Sequence, residues 1–344
     1  MNLQSSIITG GNLTSKDSFR IDIDAPRWDQ NTYLGRLKYF ASVTDPRNTL
    51  HTKAQLYSAK RLVDAYRNGK EPPNTTIEQL YAAQKLYKSA FHPDTGDLQA
   101  IFGRMAFQVP AGMTVIGAML TWYRTTTQVV LLQWGNQSMM AFLNYSNRNA
   151  KSEVTKSQLL TAYISATTCA LVTSLGLKSY LAKRASDLMQ RFVPCAAVAA
   201  ANCVNVPLMR SNEIRNGIEI VDKNDNVVGV SKVAAVKAVS MTVMSRLIMA
   251  VPSMIVVPIV MDKIEKQRWF PSRRTVLNAP LQTILSGLIL LISIPAGCGA
   301  FPQRNSISLD TIKKFSPSEY SLVEKHYVTL DEELPRDVFF NKGL

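Results

Sequence analysis

The side chains with the clearest chemical potential lie between residues 125 and 148, where carboxamides interrupt an apolar segment. On a helical wheel of about 100° per residue, the amides fall on one face. The face comprises Gln133, Asn136, Gln137, Met140, Asn144, Asn147 and Arg148. Carboxamides that meet lipid cost several kcal/mol, so this face must contact protein, water or a ligand. Amides donate and accept hydrogen bonds without charge, which suits a zwitterion that carries a hydroxyl group.

We therefore predict that Gln133, Asn136, Gln137 and Asn144 line a substrate site. Two other interpretations stay open for the same segment. It could be an amphipathic helix lying flat at the head-group level, or its amides could be polar contacts between helices.

Two further asparagines, Asn202 and Asn205, lie three residues apart between Pro194 and Pro207 in another apolar segment. Residues three apart are neighbours on a helix. Prolines at both sides could break the helix and free backbone groups for a ligand, as in many transporters, so we predict that Asn202 and Asn205 also line the substrate site. The alternative is a kinked helix whose asparagines bond to a neighbouring helix.

Arg246 stands well inside an apolar segment. An arginine in such a place is rare and usually faces a cavity or an anionic partner, so Arg246 could hold a substrate carboxylate. The alternative is that the helix begins earlier and Arg246 snorkels to the interface with Lys237. Pro252 and Pro258 follow, and predict a segment that bends.

The motif His92, Pro93, Asp94, Thr95, Gly96 contains the Asp-Thr-Gly triplet of aspartic proteases. Those enzymes need two carboxylates that share a proton, and the chain has no second copy. A turn is the better interpretation, because proline stops a helix and glycine permits a tight bend.

Other chemistry finds little support in the sequence. The four cysteines form no C-x-x-C pair, and the three histidines lack metal-ligand spacing. We find no nucleophile with a base and no glycine-rich phosphate loop. We expect no enzyme, no metal and no cofactor.

The elements that position these residues follow from the distribution of charge. The formal net charge is +14, but the cations flank apolar stretches and are not mixed with aromatic residues. This pattern favours anionic lipid head groups over nucleic acid as the partner. We predict a soluble, mostly helical region at 1–104, a membrane domain at 105–300 and a soluble tail at 301–344. The sequence identifies no protein partner.

The fold class that results is an all-α multi-pass membrane protein, because several apolar segments are long enough to cross a bilayer. Residues 125–148 form an additional amphipathic or re-entrant helix, and residues 217–231 form a β-hairpin between the third and fourth spans. The five predicted spans are 105–123, 157–177, 188–209, 239–261 and 279–300.

Several long motifs, in this order, resemble the sideroflexin family and extend over nearly the whole chain. They are IDAPRWDQNTYLGRLKYF, VTDPRNTL, AFHPDTGDLQAIFGRM, WYRTTTQVVLLQWGNQSMMAFLNYSNRNA, VPCAAVAAANCVNVPLMR and VFFNKGL. The resemblance implies a mitochondrial inner-membrane protein that imports a small neutral amino acid, serine above all, for one-carbon metabolism. It also implies a link to iron and haem homeostasis. The rival expectation is a membrane scaffold or regulator of iron metabolism that transports nothing.

Overall fold

The region before the membrane is a small helical unit. The computed structural model describes residues 20–92, 95–146, 155–182, 184, 186–330 and 333–343. The unit contains α1 (Tyr33–Val43), α2 (Lys53–Arg67) and α3 (Ile77–Ala90). Thr52 and Thr76 begin α2 and α3, and each accepts a hydrogen bond from the backbone of a glutamine three residues later. These glutamines bond back to the threonine backbone, which satisfies amide groups that a helix start leaves unpaired. The apolar faces of α2 and α3 then pack together.

A bundle of long helices follows this unit. In chain order its elements are α4 (Gln108–Trp122), α5 (Thr126–Ser146), α6 (Lys156–Leu181), α7 (Asp187–Gln190), α8 (Val193–Met209), α9 (Ser211–Asn216), α10 (Lys232–Glu265) and α11 (Arg274–Gly299). Five segments among the described residues are long and apolar enough to cross a membrane. They are Met105–Trp122, Ser157–Leu181, Asp187–Met209, Lys232–Glu265 and Pro271–Gly299. The predicted multi-pass α-helical fold is confirmed.

Helix α5 is one continuous helix and not a re-entrant pair. It follows α6 in the opposite direction, since Gln133 bonds to Ser174 and Ser138 bonds to Tyr163. Its last residue, Ser146, accepts a hydrogen bond from Gln99, which precedes the first span. The segment thus runs the length of the bundle beside the five apolar spans.

The fourth span is longer than the predicted 239–261. Its helix, α10, begins at Lys232, where Ser231 accepts a hydrogen bond from the Ala234 backbone, and continues through Pro252 and Pro258 to Glu265. The first turns of α10 carry lysines and lie beside the soluble elements, which is why hydropathy alone placed its start too late. The helix of the fifth span, α11, likewise begins earlier than predicted, at Arg274 and not at residue 279.

The predicted hairpin is confirmed as β1 (Ile218–Val221) and β2 (Val227–Ser231). It is half of a larger sheet, because the chain after the bundle adds β3 (Arg304–Ser308) and β4 (Asp337–Asn341). The four antiparallel strands have the order β2-β1-β4-β3. Between β3 and β4 lie α12 (Leu309–Phe315) and α13 (Pro317–Leu330). The predicted soluble tail is therefore a folded unit with a core shared with the hairpin.

The helical unit and the unit built around the sheet lie at the same end of the bundle, which we call the sheet end. There Arg36 of α1 donates to the Gly299 carbonyl of α11 at 2.8 Å, and Lys237 of α10 donates to the Ser306 carbonyl of β3 at 2.6 Å. At the far end, Arg191 forms an ion pair with Glu265 at 2.7 Å. The start of α8 and the end of α10 therefore lie at the far end.

Candidate functional site

Helix α5 turns its amides inward and its apolar side chains outward. Gln133, Asn136 and Gln137 are 0%, 5% and 4% exposed, whereas Leu131 and Trp134 are 57% and 56% exposed. This arrangement reverses that of a helix on a soluble protein, because lipid and not water surrounds the bundle. The carboxamide face therefore contacts protein, in keeping with two of the interpretations drawn from the sequence.

Gln133 belongs to a contact between three helices. Its Nε2 donates to the Tyr123 hydroxyl at 2.6 Å and to the Ser174 Oγ at 3.1 Å. Tyr123 also donates to Ser174, at 2.5 Å. These bonds hold α4, α5 and α6 together, which is how polar side chains join helices in lipid. Within the described residues, the Gln133 Oε1 atom is buried without a partner.

Asn144 and Arg246 meet at the sheet end, although they are 102 residues apart in the chain. The Arg246 Nη2 atom donates to the Asn144 Oδ1 atom at 2.9 Å. The Nδ2 atom of the same amide donates to the Met209 sulfur at 3.1 Å. One carboxamide thus joins α5, α8 and α10, and two of the residues selected from the sequence are in direct contact.

The Arg246 guanidinium is partly buried and poorly satisfied. A guanidinium has five N–H donors. Among the described residues, Asn144 alone accepts a hydrogen bond from the Arg246 guanidinium. None of the described carboxylates forms an ion pair with it either. An arginine in this state can bind a carboxylate by donating two parallel hydrogen bonds to it.

Two buried oxygens lie on α8 and α10, two of the helices that this contact joins. The Oδ1 atom of Asn205 on α8 and the Oγ atom of Ser245 on α10 have no hydrogen-bond partner among the described residues. Asn205 precedes Met209 by one helical turn, and Ser245 directly precedes Arg246. Helices α8 and α10 pack together. We call Asn144, Asn205, Ser245 and Arg246 the polar cluster.

Asn136 and Gln137 are buried on the α5 face two turns before Asn144, and no described residue bonds to their side chains. Asn202 differs, because its Nδ2 atom donates to the Val198 carbonyl of its own helix at 2.9 Å. The structure brings together Asn144 and Arg246. Asn202 stays a sequence prediction without a contact to them.

The sequence reasoning did not select Met209, Thr242, Ser245 or Arg210. Arg210 donates to Thr242 Oγ1 at 3.0 Å, one turn before Arg246 on α10. Arg210 looked like an ordinary cation at the end of a span. The one available signal was for Ser245, a hydroxyl next to a buried arginine in the chain.

The predicted turn at residues 92–96 packs against the helical unit before the membrane, through Lys60 of α2. The His92 amide donates to the Asp97 carbonyl and the Gly96 amide to the His92 carbonyl, both at 2.9 Å. Gly96 has a φ of +67°, and Lys60 donates to its carbonyl at 2.7 Å. Thr95 is described within this turn, whereas Pro93 and Asp94 lie outside the described residues. Across the described ranges, no three His, Cys, Asp or Glu residues are grouped to hold a metal ion.

Two comparisons place the chain among known proteins. The family model described as sideroflexins matches residues 22–344. The chain is 48% identical to sideroflexin-2 of Drosophila melanogaster, covering 96% of this chain and 100% of that relative. It is 45% identical to sideroflexin-2 and 46% identical to sideroflexin-1 of Homo sapiens, each over 94% of this chain and 98% of the relative. No solved structure matches. The motifs, the helical bundle and these relatives agree that the chain belongs to the sideroflexin family.

Proposed function

We propose that this chain is a transporter of a small neutral amino acid in the mitochondrial inner membrane, and that serine is its substrate. The observation that carries the proposal is the contact of Arg246 with Asn144 inside the bundle. It leaves a cation with unused donors in a place where lipid cannot satisfy it. The carboxylate of an amino acid supplies the missing acceptor.

The remaining polar cluster suits the other groups of serine. The free oxygens of Asn205 and Ser245 can accept from an ammonium group, and an amide can bond to a hydroxyl. The five apolar spans and family membership support a membrane protein, and the chemistry of this cluster supports a small neutral substrate. Alternating access would expose the cluster first to one side and then to the other, with the bends at Pro252 and Pro258 in α10 as candidate hinges.

The test is uptake of labelled L-serine into proteoliposomes that contain the purified full-length chain. Arg246→Ala and Asn144→Ala remove the two sides of the contact. We expect each to lower uptake by about tenfold or more, the size of one lost charge-assisted hydrogen bond. Asn226→Ala is the control, because it truncates an exposed asparagine in the turn between β1 and β2 whose amide bonds to Asp222. It should transport like the wild type.

Unaltered uptake in both cluster variants, with normal insertion, would contradict the site. A wild-type chain that moves no amino acid would contradict transport itself and favour the scaffold. Direct iron transport is the weakest reading, because iron prefers His, Cys and carboxylate ligands, and the described residues hold no group of three of them.

A further inference from the structure

A second unsatisfied cation lies at the sheet end, outside the spans. Lys342 follows β4 and is 4% exposed. Its backbone is fixed, since its amide donates to the Gln303 carbonyl at 2.8 Å. Its ammonium has no hydrogen bond or ion pair with any described residue, and it lies 6.0 Å from the centroid of the Phe301 ring. The described residues therefore offer this ammonium no acceptor, and a charge on a mostly buried side chain is costly without one.

Arg210 holds this segment in place. Its guanidinium donates to the Lys342 carbonyl at 2.9 Å and to Thr242 Oγ1 at 3.0 Å, and it forms an ion pair with Glu213. Gly343 has a φ of +74°, and a Cβ there would lie 2.9 Å from the Arg210 Nη2 atom. The guanidinium of Arg210 is therefore occupied, and it acts as a clamp for the chain around Lys342.

The surroundings of Lys342 are positive. Burial lowers its pKa, Arg210 and Arg36 lower it further, and Cys298 opposes them. Arg36 has acceptors of its own, the carbonyls of Gly299, Gln30 and Asn31. Lys342 is thus the cation of this group whose donors stay free.

We infer that Lys342 is an outer binding residue for the carboxylate of the transported amino acid, one step before Arg246. The two free cations flank the Arg210 clamp: Lys342 is bonded to it through its carbonyl, and Thr242 precedes Arg246 by one turn. This inference rests on the proposed function. The substrate carboxylate enters from the sheet end and binds Lys342 first. It then leaves Lys342 and binds Arg246 within the bundle.

The first measurement is the concentration dependence of L-serine uptake in phosphatidylcholine proteoliposomes. Lys342→Met keeps the length of the side chain and removes the charge. We expect about a tenfold rise in the half-saturation concentration, with the maximal rate within about twofold of wild type. Lys342→Arg should restore most of the affinity. Lys314→Met, an exposed lysine on α12, is the charge-matched control and should leave both values unchanged.

The second measurement needs no transport. Sodium acetate, compared with sodium chloride at equal ionic strength, should raise the thermal midpoint of the purified wild type and of Lys314→Met, but not that of Lys342→Met. Equal acetate shifts in all three proteins, or an unchanged half-saturation concentration in Lys342→Met, overturn the inference. A midpoint that responds to cardiolipin and not to acetate overturns it as well, in favour of a lipid phosphate site. An acetate shift that depends on Lys342 in a chain that moves no serine refutes the proposed function and leaves the anion site standing.

Discussion

Replacing Asn144 with aspartate should stabilise the protein and stop transport at the same time. The change is nearly isosteric and places a carboxylate oxygen where an amide oxygen now lies 2.9 Å from the Arg246 Nη2 atom. The present bond already joins a cation to an amide, so the exchange turns a charge-assisted hydrogen bond into an ion pair. The added attraction between opposite charges, less the cost of desolvating the carboxylate, should stabilise the fold by roughly 1–2 kcal/mol. At about 2–4 °C per kcal/mol for a chain of a few hundred residues, the thermal midpoint should rise by roughly 2–8 °C.

Transport should respond in the opposite direction, because the new carboxylate occupies the guanidinium that we assign to the substrate. The assay pairs serine uptake in proteoliposomes with thermal unfolding of the same preparation. Asn144→Ala separates the two effects, since it should lower uptake without raising the midpoint. Asn202→Asp supplies a carboxylate on α8 with no arginine contact, so its midpoint should fall. Wild-type uptake in Asn144→Asp, together with a raised midpoint, would show that Arg246 does not bind the substrate.

Three other perturbations test different parts of the structure. The first uses a cysteine-free background and an impermeant maleimide. Lys70→Cys and Lys314→Cys should react from one side of the membrane and Arg268→Cys from the other, because α5 adds a sixth crossing to the five apolar spans. Labelling of Lys70→Cys and Lys314→Cys from opposite sides would refute this topology. Burial raises the pKa of Asp45, but hydrogen bonds from neighbouring cations outweigh it and lower the pKa to about 2. Its stabilisation should be present above the ordinary value of 3.8 and disappear as the pH falls towards 2, so acid unfolding of the helical unit should be less steep in Asp45→Asn. A Cβ at Gly297 would lie 2.4 Å from a side chain of α10, so Gly297→Ala should lower the thermal midpoint and serine uptake together, and an unchanged midpoint would contradict this packing.

The membrane fold was predictable because its signals are local. An apolar run of sufficient length indicates a span wherever it occurs, and the amide face of α5 follows from helical periodicity alone. The hairpin was equally readable, because a polar turn separates two short apolar strands. The extension of the hairpin into a four-stranded sheet was not predictable, because β4 pairs with β1 across more than a hundred residues. Such pairing depends on tertiary contacts that no local pattern encodes.

The contact of Asn144 with Arg246 was only half predictable. Each residue was conspicuous in the sequence, because a polar group in an apolar segment needs a partner. Their meeting depends on the crossing of α5 and α10, which periodicity does not give. Ser245 and Arg210 were missed for a related reason. A serine in a span and an arginine at its end are ordinary until the packing shows which of their atoms have partners.

Satisfaction of hydrogen bonds is what separates the structural polar groups from the candidate binding groups. Gln133 and Arg210 are as polar as their neighbours, yet their donors are used by Tyr123, Glu213 and other fixed partners. Lys342 is buried and Arg246 partly buried, yet both keep donors that no described residue uses. An unpaired cation on a buried or partly buried side chain costs free energy in the resting protein, and a ligand that supplies the anion would offset that cost. Two such cations on either side of one clamp are more easily explained by a ligand that moves between them than by stability.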